Sequence, residues 1–155
     1  VSIKKKLSAL GLTLPTAAAP VAAYVPAVKS GNLVFTAGQL PVIDGKLVKE
    51  GKVGSDVTAE DAKELAQICA LNALAAISLV ADLDQIERVV RVGGFVNCAP
   101  GFTAIPGVVN GASELLIKVF GVVNGKHART AVGVAELPLN APVEIEVCVQ
   151  VKTKI

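Results

Sequence analysis

The stretch Val143-Glu144-Ile145-Glu146-Val147-Cys148-Val149-Gln150-Val151 constrains the fold more than any other part of the chain. Its period is two. Successive side chains of a β-strand point to opposite faces, so Val143, Ile145, Val147, Val149 and Val151 line one face. Glu144, Glu146, Cys148 and Gln150, with Lys152, line the other. Acids within a strand are costly if buried without a partner. The preceding apolar run, Arg129 to Leu137, offers one. Arg129 shares a face with Ala131, Gly133 and Ala135, all small, which leaves space around a guanidinium. A turn at Pro138 to Pro142 joining these strands as a hairpin would set Arg129 near Glu144. Two readings stay open: a structural ion pair, or a pocket in which the guanidinium grips a ligand carboxylate bidentately.

The rest of the chain supplies what that strand needs, an apolar layer. Thr58 and Asp61 form a capping-box-like pair with Glu60 also at the positive helix end, and Leu65, Cys69, Ala73, Ala76 and Val80 follow at helical spacing. This helix is expected to stop near Asp82. A second, from about Pro106 to Phe120, carries a stripe of Val108, Ala112, Leu115, Leu116 and Val119. Between them the Val-rich run Ile86 to Asn97 reads as a strand, and Gly121 to Lys126 as a flexible connector. Upstream, Tyr24–Lys29 and Leu33–Ala37 read as strands around the turn Ser30-Gly31-Asn32. Asp44-Gly45 marks a second tight turn. Ser2 to Leu10 reads as a short helix stopped by Gly11. The order β-β-turn-α-β-α-β-β predicts one α+β domain, a sheet with helices on one face. Hydrophobic residues are 52% and charged residues 18%, a low share for a small monomer. The bare face of the sheet is therefore expected to be covered by a second subunit.

Several functions are disfavoured on composition. The net charge is +2 with the signs interspersed, and there are four Phe and one Tyr, so no basic stripe with stacking aromatics points to nucleic acid. Lys4, Lys5 and Lys6 read as a solvated helix face. Cys69, Cys98 and Cys148 are scattered and read as reduced thiols. With His127 as the single histidine, no zinc set is expected. Thr13 and Pro15 interrupt a faint signal-peptide-like start, and the apolar run Cys69 to Ala81 is too short for a bilayer, so a cytoplasmic, non-membrane protein is expected. Gly121-Val122-Val123-Asn124-Gly125-Lys126-His127 is one residue short of a phosphate loop. No GxGxxG and no GxSxG occurs. His127 reads as an exposed loop residue, and Cys148 has no evident base.

The segments His127-Ala128-Arg129-Thr130-Ala131-Val132-Gly133-Val134, Leu137-Pro138 and Val143-Glu144-Ile145-Glu146 together resemble the C-terminal signature of the RidA/YjgF family. Tyr24-Val25-Pro26-Ala27-Val28, Gly31-Asn32-Leu33-Val34-Phe35-Thr36-Ala37-Gly38-Gln39-Leu40-Pro41 and Val109-Asn110 agree with it, over roughly residues 20 to 152. The leading helix and connector, residues 1–19, look like the longer, endoribonuclease-like branch. The resemblance implies a single domain over 1–155 with a chorismate-mutase-like fold, two helices on a six-stranded mixed sheet. It also implies a homotrimer with clefts between subunits. It implies hydrolysis of reactive enamines and imines to 2-keto acids and ammonia, without metal or cofactor. By position, Arg129 would hold the substrate carboxylate and Glu144 would position or activate water. Tyr24, Ala37, Asn110 and Ala131 would line the pocket. Ala37 stands where the well-studied deaminases have Ser, and Ala131 where they have Cys. The alternatives are a non-catalytic carboxylate-binding or regulatory trimer and, with less support, an endoribonuclease.

Overall fold

The computed structural model describes residues 1–20 and 22–153. Val21, Lys154 and Ile155, within the predicted domain 1–155, lie outside the described residues. The chain opens with α1 (Ile3–Ala9), whose N-terminus is capped by Ser2 accepting from the Lys5 N–H. Strands β1 (Ala27–Ser30) and β2 (Leu33–Thr36) form a hairpin that turns at Gly31, φ 60°. A second hairpin joins β3 (Val42–Ile43) to β4 (Lys46–Leu47). Both of its central residues, Asp44 (φ 51°) and Gly45 (φ 78°), are left-handed, which matches the twist of the flanking strands. Then come α2 (Ala59–Ser78), β5 (Ile86–Asn97), α3 (Ile105–Gly125), β6 (Ala128–Val134) and β7 (Val143–Val151).

The main sheet has the order β1-β2-β7-β5-β6, antiparallel throughout except for the parallel pair β5 and β6, and β3-β4 stands apart as a separate two-stranded sheet. The predicted α+β class, mixed sheet and helical face are as expected. The strands divide five and two instead of forming one sheet of six.

Helices α2 and α3 cover one face. Thr58 caps α2 by accepting from the Asp61 N–H at 3.1 Å, as the capping-box spacing predicts. The expected stripes are buried: Leu65, Cys69, Ala73 and Ala76 on α2, and Val108, Ala112, Leu115, Leu116 and Val119 on α3. Val80 lies past the helix end and is exposed. Helix α2 stops at Ser78, and Asp82 caps a separate short 3-10 turn, Leu83–Gln85. Helix α3 is long and apolar enough to cross a bilayer, yet its apolar stripe is sunk in this core. Beneath the helices lie all five odd-numbered residues of β7, Val143 to Val151, each buried, so the period-two reading holds residue by residue.

Two expectations are corrected. Strands β6 and β7 do not form a hairpin, because β5 lies between them, parallel to β6 and antiparallel to β7. The run Gly121 to Lys126 is not a free connector. Gly121, φ 84°, breaks α3, and the chain then makes one more helical turn to Gly125. Gly125 packs so closely that a Cβ there would stand 2.6 Å from the Ile117 Cα, so the turn is folded back on its own helix.

Candidate functional site

The interposed β5 decides the fate of Arg129. Across the sheet Val92 is opposite both Arg129 on β6 and Val147 on β7, so Arg129 points to the helical face. Phe95 is opposite both Val132 and Glu144, so Glu144 points to the bare face. The two side chains lie on opposite faces with a strand between them. Of the two readings left open, the structural ion pair that a hairpin would allow does not form.

Arg129 reaches α3 instead. Its Nη1 donates to Asn110 Oδ1 at 2.7 Å and to Ser113 Oγ at 3.2 Å, and its Nη2 donates to the Pro106 carbonyl at 3.4 Å. All three acceptors are neutral. The ion pairs among the described residues are Lys49–Asp61, Lys52–Glu136 and Lys63–Glu114, so the half-buried guanidinium carries an unbalanced charge. Both Nη1 hydrogens are engaged, while Nε and one Nη2 hydrogen have no acceptor among the described residues. Two free N–H groups suffice for a bidentate grip on a carboxylate. Ala131, two residues along the same face, is half-buried and offers only a methyl group.

Behind Arg129 stand two residues that sequence reasoning did not place there. Ser113 is buried, and its Oγ lies 2.9 Å from His127 Nε2; His127 Nδ1 lies 2.6 Å from the Gly125 carbonyl. His127 is thus half-buried and doubly bonded, not an exposed loop residue. Burial, outweighing the bond to the Gly125 carbonyl, pulls its pKa below the usual imidazole range, and the Arg129 charge adds to the effect. Ser113 was findable: it lies three residues after Asn110, hence on the same helical face. His127 was not, because only the Gly121 break aims the Gly125 carbonyl at it.

Glu144 belongs to a different cluster. Beyond β2 the chain rejoins β7, where Gln39 and Ile145 exchange backbone hydrogen bonds at 2.8 and 3.0 Å. This lays Gly38 directly under the Glu144 side chain, where a Cβ would collide with the carboxylate. Ala37 is half-buried next door, and its N–H donates to the Pro26 carbonyl at 2.8 Å. Tyr24, half exposed, lies two residues before Pro26. Burial pushes the Glu144 carboxyl above its usual range, and the neighbouring Glu146 charge pushes the same way. The predicted residues thus divide: Arg129, Asn110 and Ala131 stand at β6 and α3, Glu144 and Ala37 stand at the β2–β7 junction, and Tyr24 lies on the segment leading into β1. The cysteines are free: Cys69 and Cys148 are buried, Cys98 is half-buried, and burial raises all three thiols. No cluster of three His, Cys, Asp or Glu side chains able to hold a metal occurs among the described residues.

A five-stranded mixed sheet with helices packed on one face, and an arginine on its edge strand held by neutral partners, defines an α+β protein of the helix-backed-sheet class. Residues 4–150 match the family model described as "YjgF/chorismate mutase-like, putative endoribonuclease", and the chain belongs to this YjgF/RidA family. It is 42% identical over 149 residues to Protein TCP17 of Trypanosoma cruzi, covering 96% of this chain and 93% of that protein. It is 31% identical to a 2-iminobutanoate/2-iminopropanoate deaminase of Dermatophagoides farinae, with 87% of this chain and 91% of that one covered. A crystal structure of a protein of unknown function from Agrobacterium tumefaciens superposes with a TM-score of 0.87 at 44% identity, covering 97% of this chain and 92% of the other.

Proposed function

We propose that the protein hydrolyses reactive 2-imino acids, or the enamines in equilibrium with them, to 2-keto acids and ammonia. The observation that carries this reading is the Arg129 guanidinium, half-buried, fixed by Asn110 and Ser113, and without an acidic partner among the described residues. Such a group is a receptor for a small carboxylate. The deaminase name of the Dermatophagoides relative agrees with that ligand class. The imine carbon is already electrophilic. Water adds across the C=N bond as Glu144 takes one water proton and passes it to the imine nitrogen, giving a carbinolamine. Glu144 then takes the hydroxyl proton and hands it to the amino group as the C–N bond breaks, so the keto group forms and ammonia leaves. A carboxyl with a raised pKa suits both halves of that transfer. Holding the carboxylate and the water together supplies orientation, worth up to about 7–11 kcal/mol in the best cases. Nothing in this scheme asks for a metal or cofactor.

Arg129 and Glu144 face opposite ways, so one chain does not present both to one small substrate. The reading therefore includes a second copy that brings its Glu144 corner to the Arg129 corner of the first, in a cytoplasmic homotrimer. The test is loss of 2-iminobutyrate generated in situ, followed as 2-oxobutyrate released. The protein should speed it over buffer, and Arg129→Ala should reduce kcat/KM roughly 10- to 100-fold, the value of hydrogen bonds to a charged group. Equal rates with and without protein would sink the reading.

Ala37 and Ala131 favour a second reading, a carboxylate binder without turnover, since neither side chain can donate a hydrogen bond to a reacting group. It predicts that 2-oxobutyrate raises the melting temperature through Arg129 while 2-iminobutyrate decays at the buffer rate.

A further inference from the structure

Proton positions around Arg129 follow from simple accounting. The Gly125 carbonyl can only accept, so His127 Nδ1 carries a hydrogen and donates to it across 2.6 Å. Arg129 Nη1 can only donate, so Ser113 Oγ accepts from it at 3.2 Å. The Ser113 hydroxyl hydrogen is then free to point at His127 Nε2, 2.9 Å away. This chain of bonds is satisfied at every atom by one arrangement: a neutral imidazole in the Nδ1–H form. Its elements are independent in sequence. Arg129 lies on β6, Ser113 on α3, His127 ahead of β6, and Gly125 in the turn that follows the Gly121 break.

We propose that Ser113 and His127 are positioning residues for Arg129, a directed hydrogen-bond relay that holds the Nη1 edge of the guanidinium against α3 and leaves the Nε edge for a ligand carboxylate. The proposal rests on the reading of Arg129 as a carboxylate receptor. Without the relay, Nη1 keeps Asn110 alone, and only the long 3.4 Å bond from Nη2 to the Pro106 carbonyl helps it hold the guanidinium. The charged neighbours of His127 favour the neutral imidazole. Arg129 follows it on β6, Lys126 precedes it, and Arg88 of β5 lines the same shallow cleft, which also includes Val90 and Gln150. On α3 the acid next to Ser113, Glu114, is tied to Lys63 at 3.1 Å. A neutral, ordered histidine is what a positioning role needs, since a protonated Nε2 could no longer accept from Ser113.

His127 is the single histidine, so its imidazole resonances need no assignment. In the full-length protein, long-range proton–nitrogen correlation spectra should show the Nδ1–H tautomer at pH 7.5. By calorimetric titration with 2-oxobutyrate, Ser113→Ala and His127→Phe should each bind about tenfold more weakly, the loss of roughly one hydrogen bond to a charged group. Ser113→Thr, which keeps the hydroxyl, should restore most of the affinity. Ligand addition should shift the imidazole nitrogens of the parent protein and not those of Ser113→Ala. An Nε2–H tautomer, or equal affinity in Ser113→Ala and the parent, overturns the relay. If the parent protein binds no 2-oxobutyrate, the carboxylate-receptor reading fails. The relay is then judged on the tautomer and on the Arg129 Nη1–H resonances, which should be slow to exchange in the parent and lost in Ser113→Ala; their persistence there overturns the proposal.

Discussion

Glu144 shows how a single residue sets stability against function. Its carboxyl is raised above the ordinary 4.5 by burial and by Glu146, so the folded chain holds a proton that the unfolded chain has released. Stability therefore falls as pH rises from 4.5 through the folded-state value, and the deficit persists at neutral pH. Glu144→Gln removes the charge while keeping the shape. The expected outcome is a melting temperature above that of the parent at pH 7, with the difference vanishing near pH 4, together with loss of turnover. A melting temperature that is unchanged, or lowered, at pH 7 contradicts this account. A carboxylate held at an energetic cost, with no cation paired to it among the described residues, is what an acid–base group requires. Arg129 is its counterpart: a cation without an anionic partner among the described residues, on the other face of the same sheet.

At the level of elements, the α2–α3 contact fixes where Asn110 and Ser113 stand. Helix α2 carries many small buried residues, Ala62, Ala66, Cys69, Ala70 and Ala73, and packs against both α3 and the sheet, where the Cys69 thiol donates to the Val143 carbonyl. Gly111 is the tightest point, since a Cβ there would stand within bonding range of the Lys63 carbonyl oxygen. Gly111→Ala must force the helices apart. Overpacking of this kind costs about 1–3 kcal/mol, readable by urea denaturation as a lower midpoint with an unchanged slope. Because Gly111 adjoins Asn110, the same variant should weaken carboxylate binding. The Gly121 break works similarly on the far side of α3, folding one turn back to bring Gly125 to His127.

For the whole molecule the question is what the bare face of the sheet meets. Val28, Phe35 and Val132 point outward there and are 51%, 47% and 39% exposed, alongside Glu144, Glu146 and Cys148. A second copy laid on that face would cover the apolar groups and complete the divided site. Sedimentation should therefore give a mass near three chains. Phe35→Glu, which places a charge in the contact, should shift the protein towards monomer and abolish turnover while leaving the secondary structure intact. A parent protein that sediments as a monomer would remove the basis for a shared site.

Sequence alone determined the elements and their sidedness. The alternation in β7, the Thr58 cap, the α3 stripe and the Asp44-Gly45 turn are local patterns, set by periods of 2 and 3.6 and by backbone sterics, and each stands where it was read. The candidate residues Arg129, Asn110, Glu144, Ala37, Ala131 and Tyr24 came from the resemblance to the family signature. Tertiary structure alone decided which of these meet. Strand order is a long-range choice, and chain proximity suggested a β6–β7 hairpin where β5 intervenes. That one insertion excluded the Arg129–Glu144 ion pair, left the guanidinium without a counter-charge among the described residues, and divided the candidate site between two corners of the fold. Ser113 and His127 entered only with the packing of α3, because a hydrogen-bond relay between elements leaves no periodic trace in the chain.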